Sequence, residues 1–123
     1  MLPLDLSQDC GPPVDIFFKS NKLAKVLNDD ARLKREYGKN AQAIKNRLAV
    51  LHAAASLAVV PTTPPERRHL LTGDYAGHYA VDLQHPHRIV FIPAEDPPPL
   101  KPDGGHDLHN IKSIIIIEVV DYH

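Results

Sequence analysis

Tyr79-Ala-Val-Asp-Leu-Gln-His-Pro-His-Arg-Ile-Val-Phe-Ile92 is the stretch that decides the fold. In its first arm Tyr79, Val81 and Leu83 form an apolar side that alternates with His78, Ala80 and Asp82, the period-two pattern of a half-buried strand. His85-Pro86 is turn chemistry, and His87 to Ile92 is a second run rich in β-branched and aromatic side chains. Two such runs joined by a short proline turn predict an antiparallel hairpin.

Upstream of the hairpin, Arg68 to Leu71 is a short strand candidate, and Thr72-Gly-Asp-Tyr-Ala-Gly77 carries turn residues. Val60-Pro-Thr-Thr-Pro-Pro65 stops any helix, because proline fixes φ and has no N–H to donate. Before it, Ser20 or Asn21 can cap a helix through Asn28, and Asp30 to Tyr37 is a second helical stretch followed by Gly38, a stop or bend. Ala41, Ile44, Leu48 and Leu51 then repeat at helical spacing to about Ala54, so the segment predicts an antiparallel helix pair lying on a sheet. Val14 to Lys19 is a strand candidate in front of it, and residues 1–13, with Pro3, Gly11, Pro12 and Pro13, are expected to be a flexible extension.

Downstream, Pro93 to Asn110 is a long loop, and Ile111 to Val120 is the most apolar strand. Strict alternation there would put Ile111, Ser113, Ile115, Ile117 and Val119 on one side and Ile114, Ile116 and Val120 on the other. Both sides are apolar, which suggests a central strand. Strand, helices, then successive strands is the order of an α+β domain: two N-terminal helices packed on a four- to five-stranded, mainly antiparallel sheet. At 123 residues the chain fits one domain, expected over 14–123.

Composition narrows the function classes. Apolar content of 43% and charged content of 24% are those of an ordinary globular protein. No unbroken apolar run, Ile114 to Ile117 included, exceeds four residues, far short of the ~20 a membrane helix needs. Met1 to Leu6 already contains Pro3 and Asp5 and does not read as a secretory signal. The lone Cys10 cannot form an internal disulfide, so a cytoplasmic setting is expected. Net charge is −1, but Lys19 to His52 holds nine Lys/Arg against three acids, whereas Glu95 onward holds six acids against two lysines. Such asymmetry fits either a basic face for phosphate or a solvated helix surface.

Chemistry-bearing residues concentrate in the strands. Arg88 sits among the core-like Ile89, Val90, Phe91 and Ile92, where a cation calls for an anionic partner. Asp121-Tyr122-His123 follows directly on the apolar last strand. Cutting RNA without a metal requires a base, an acid, cations for the phosphorane and a surface that splays the nucleotides. His69 and His123 can move protons, Arg88 with Arg67 and Arg68 can meet phosphate, Tyr122 can stack, and Asp121 can orient or assist. With eight histidines in the chain, any single one is as easily incidental. His85 and His87, or His106 and His109, have ligand-like spacing but no zinc framework around them, so no metal or cofactor is expected.

Several segments together resemble the RelE/ParE superfamily, in particular its HigB-type branch of plasmid maintenance killer proteins. They are Phe18 to Lys25, Arg67-Arg-His-Leu-Leu-Thr-Gly-Asp74, Gly77 to Leu83, His85 to Phe91 and Glu118-Val-Val-Asp-Tyr-His123. The resemblance runs from about Val14 to the end. It implies a RelE-like fold and the toxin of a type II toxin–antitoxin pair, which cuts mRNA on the translating ribosome. By position His69, Arg88, Asp121, Tyr122 and His123 are similar to the catalytic group, with Lys22, Lys25, Arg67 and Arg68 to bind RNA or ribosome. The implied partners are a helix-turn-helix antitoxin, the ribosome with its mRNA and, through the antitoxin, operator DNA. Two alternatives remain open: a ParE-like toxin that inhibits DNA gyrase by protein contact, and a non-catalytic antitoxin-binding partner. The turn Tyr75-Ala76 departs from the basic residues that relatives usually carry there.

Overall fold

The computed structural model describes residues 14–84 and 86–121. The expected extension 1–13 lies outside them, as do His85, Tyr122 and His123. The described chain is α+β. In order it forms β1 (Asp15–Phe18), α1 (Asn21–Leu27), α2 (Asp30–Tyr37), α3 (Ala41–Ala53), β2 (His69–Leu70), β3 (Tyr79–Asp82), β4 (His87–Pro93) and β5 (Ser113–Asp121).

Local chemistry sets the helix boundaries. The Ser20 side chain accepts from the Leu23 N–H at 3.1 Å, which satisfies one of the unpaired donors that open α1. Asp29 is extended (φ −118°, ψ 114°) and accepts from the N–H groups of Ala31 and Arg32. It therefore breaks the chain after α1 and caps α2. Gly38 at φ +48° ends α2, a conformation that side-chain-bearing residues avoid. The helical region is thus three segments rather than the two expected, because a cap at Asp29 and a stop at Gly38 each cost one continuation. Leu33, Ile44 and Leu51 are buried from α2 and α3, each stabilising by ~1.5–3 kcal/mol through removal of its side chain from water.

Among the described residues the strands form one five-stranded sheet in the order β1-β5-β4-β3-β2. Only the β1–β5 pair is parallel; the other three pairs are antiparallel. The apolar β5 is therefore central, paired on both sides. One face meets the helices through Tyr79, Val81, Ile89, Phe91, Ile114 and Ile116. The opposite, outer face carries a smaller cluster of Leu71, Ala80 and Val90, with Tyr75, Ile117 and Val120 against it.

A bulge changes which β5 residues reach which face. Val90 pairs with Glu118 while the next residue, Phe91, pairs with Ile116, so Ile117 is an extra residue on β5. Val119 then packs on the helix side with Ile114 and Ile116, while Ile117 and Val120 lie on the outer side. This corrects the strict alternation expected from sequence, which grouped Val120 with Ile114 and Ile116 and Val119 with Ile117. Without the extra residue's shift Glu118 would point into the apolar core, where an unpaired carboxylate is costly.

Candidate active site

The outer face gathers the polar groups of β2, β3 and β4. Through the strand registers, His69 lies opposite Ala80, Ala80 opposite Val90, and Val90 opposite Glu118. The adjacent row runs Asp82, Arg88, Val120. Ala80 and Val90, in the middle of the first row, are fully buried and make a small apolar floor.

The half-buried His69 and Arg88 meet on this face: Arg88 Nη1 is 3.2 Å from His69 Nε2. On its other side, His69 Nδ1 is 2.6 Å from the Arg67 carbonyl oxygen. A carbonyl can only accept, so Nδ1 carries the hydrogen and Nε2 presents its lone pair to the Arg88 N–H. The two contacts thus fix both the tautomer and the direction of the ring.

The carbonyl that orients His69 is itself held in an unusual way. Arg67 has φ +45°, the left-handed region that L side chains avoid. Its guanidinium binds Asp82 with two hydrogen bonds, Nε to Oδ2 at 2.6 Å and Nη2 to Oδ1 at 3.3 Å. That hydrogen bond, and the carboxylate charge second, raise the Arg67 pKa above its ordinary value. The main chain around it is tied too: Arg67 N–H donates to Thr63 O, and Asp82 N–H donates to Glu66 O at 2.8 Å. Arg47 Nε adds a bond to the Asp82 carbonyl at 2.7 Å. Asp82, directly opposite Arg88 on β4, therefore positions His69 indirectly through Arg67.

The remaining sequence candidates divide. Arg68 turns inward, its Nε donating to the Val60 carbonyl at 3.1 Å, and burial lowers its pKa against a smaller opposing effect of Tyr79. Lys22 and Lys25 are exposed on α1. Asp121 ends β5 with its backbone opposite His87, one residue past the Val120 that faces Arg88. Tyr122 and His123 lie outside the described residues. His106 is engaged with Tyr79, 2.8 Å from Nδ1 to the phenol oxygen. Among the described residues no group of three or more His, Cys, Asp or Glu side chains is arranged to hold a metal, and no helix is long and apolar enough to cross a membrane.

Sequence reasoning missed Asp82, Tyr75 and Glu118. The Tyr75 hydroxyl donates to Glu118 Oε2, spanning the outer face from the β2–β3 turn to β5. Asp82 had a signal, its place on the polar side of the Tyr79–Leu83 alternation; Glu118 had none, since its exposure depends on the bulge. Compared with known proteins, the chain matches no family model, no curated protein and no solved structure.

Proposed function

We propose that this protein is a RelE/HigB-type toxin, a metal-independent endoribonuclease that cuts mRNA on the ribosome. The observation that carries the proposal is the His69–Arg88 contact on the outer sheet face, with the His69 tautomer set by Arg67 O. The packing of α1, α2 and α3 on the other face of the sheet supports the RelE-like assignment.

In this reaction an RNA phosphate takes over the Arg88 hydrogen bond, which leaves the His69 Nε2 lone pair available to the neighbouring 2′-hydroxyl. Nε2 takes that proton and the 2′-oxygen attacks phosphorus. Arg88 balances the charge that builds on the phosphorane. The phosphorus–O5′ bond breaks and O5′ leaves with a proton from an acid, for which the family resemblance nominates His123. The products are a 2′,3′-cyclic phosphate and a 5′-hydroxyl. Tyr122 would stack on a base and Asp121 would assist. A helix-turn-helix antitoxin would restrain the toxin in the cytoplasm and carry it to operator DNA.

The test is induction of the chain in bacteria with primer extension on translated mRNA. Discrete new 5′-hydroxyl ends are expected, absent from His69→Ala and Arg88→Ala variants that remain folded. Growth arrest with intact mRNA, or with impaired gyrase supercoiling, would overturn the nuclease assignment.

A further inference from the structure

β1 ends the sheet, with β5 on one side and no described strand on the other. In its parallel ladder the Asp15 N–H donates to Lys112 O and the Lys19 N–H to Ile116 O. The odd-numbered residues therefore turn their backbone groups toward β5, and Val14, Ile16 and Phe18 turn theirs to the open side. Val14 is satisfied there: its N–H donates to Ala54 O, and its carbonyl lies 3.2 Å from His52 Nδ1 near the end of α3. The N–H and C=O groups of Ile16 and Phe18 have no such partner among the described residues. Beside them lies an open groove of about 670 Å³, lined by β1 and by Leu48 and His52 of α3.

The chain itself leads to this groove. Residues 1–13 join the described fold at Val14, one position before the groove begins at Asp15. In Leu2-Pro3-Leu4-Asp5-Leu6-Ser7 leucine recurs at every second position, the period of a strand with one apolar side. Gln8-Asp9-Cys10-Gly11-Pro12-Pro13 follows, with the glycine and prolines of a chain reversal. These six residues reach up to ~20 Å, enough to pass around the end of α3. Charge matches as well. Residues 1–13 hold two acids and no Lys or Arg, whereas the exposed Lys19, Lys22 and Lys25 lie just past β1.

We propose that residues 2–7 lie antiparallel along β1 as a further strand, with Leu4 and Leu6 in the groove beside α3, whatever chemistry the outer face performs. Register decides the placement. Residues opposite one another in an antiparallel pair share a face, and Ile16 and Phe18 pack on the helix side. Leu6 opposite Ile16 and Leu4 opposite Phe18 therefore send the leucines toward Leu48. The same placement makes these the hydrogen-bonded pairs, because Ile16 and Phe18 are the residues with outward backbone groups. Pro3 then falls opposite Lys19, whose N–H is engaged with β5, at a position that owes β1 no donor. Asp5 falls opposite Phe17, diagonal to Lys19. A slip of one residue would turn the leucines to the outer face and set Pro3 where a donor is required. The added strand closes an edge that would otherwise accept a foreign chain.

Amide hydrogen exchange of the full-length chain reads the pairing directly. The Ile16 and Phe18 amides are expected to exchange on the order of ten-fold more slowly than in a variant carrying both Leu4→Asp and Leu6→Asp, the effect of a net hydrogen bond or two. The Val81 and Ile89 amides of the central hairpin should exchange alike in both chains, which shows that the domain is folded in each. Prolines test the register. Leu6→Pro should release the Ile16 and Phe18 amides, whereas Asp5→Pro, at a position that donates nothing to β1, should leave them protected. Nuclear Overhauser contacts from the Leu4 and Leu6 methyl groups to Leu48 are expected in the parent chain. Equal exchange at Ile16 and Phe18 in the parent and the double variant overturns the proposal, as does equal release by the two prolines. Protection that fades on dilution, together with a doubled mass in solution, also overturns it and assigns the groove to a second copy of the chain.

Discussion

Replacing Arg67 by glycine and, separately, by alanine isolates the strain behind the His69 contact. Both variants lose the pairing with Asp82, and since the Arg67 side chain is 46% exposed, that loss is ~0–1 kcal/mol and common to the two. They differ in the backbone. At φ +45° an L side chain costs ~1–2 kcal/mol, which alanine retains and glycine sheds. Glycine gives back ~0.5–1 kcal/mol through its greater freedom in the unfolded chain. The glycine variant should therefore exceed the alanine variant by roughly 0.75 kcal/mol at mid-range (limits ~0–1.5), or ~3 °C in Tm for a domain of this size. Thermal and urea unfolding of the pair measure it. Cleavage should rank them the other way, because a glycine at position 67 loosens the carbonyl that orients His69. An alanine variant more stable than the glycine variant would refute the strain argument outright.

Further outcomes follow from the same geometry. Asp82→Asn should shift unfolding by less than ~1 kcal/mol, as expected of a partly exposed pair, yet lower mRNA cleavage ~10²-fold by displacing His69; equal retention of cleavage would remove Asp82 from the positioning chain. Burial, against a weaker pull from Arg68, raises the Tyr79 phenol above its ordinary value of 10.0. Its contribution to stability is thus complete below about pH 10 and drains away as the pH climbs past it, where the unfolded phenol ionises first. Tyr79→Phe should lower stability at pH 7 and flatten that alkaline slope, as urea titrations across pH 8 to 11 would reveal. Deleting Ile117 should leave Glu118 on the outer face and Val119 on the inner one, because it restores regular alternation. The cost is the half-buried isoleucine, ~1–3 kcal/mol, and an amide spectrum collapsing to an unfolded one would contradict the bulge assignment.

Much of this architecture is legible in local pattern. The period-two runs at Tyr79–Leu83 and His87–Ile92 specify a hairpin whose inward residues are buried as alternation requires. The same period puts Asp82 and Arg88 on one face. What escapes is whatever depends on a break in regularity. The extra residue at Ile117 leaves no mark in a run of four isoleucines, since either parity buries an equivalent side chain. The left-handed Arg67 is invisible because its stabilisers, Asp82 and the main chain at Thr63, are set by tertiary contacts. The inward turn of Arg68 is equally non-local: nothing in Arg67-Arg68 as a dipeptide separates the exposed guanidinium from the half-buried one. The parallel β1–β5 pairing joins segments nearly a hundred positions apart, beyond the reach of any window.

That long-range pairing also has a kinetic side. β5 is flanked by β1 and β4, so until Ser113–Asp121 has been synthesised β1 has no ladder with any described strand and β4 has only the one it shares with β3. Until then the nascent chain can form its helices and the β2–β4 meander, but both strand edges that β5 will fill stand open. Closing so distant a contact is slow, because the loop entropy is lost before the ladder's bonds compensate. Open apolar edges in that interval are aggregation-prone. The row that contains Glu118, and the strand end beside Arg88, come into being in the same late step, so a chain halted before β5 carries His69 and Arg88 on an unfinished sheet.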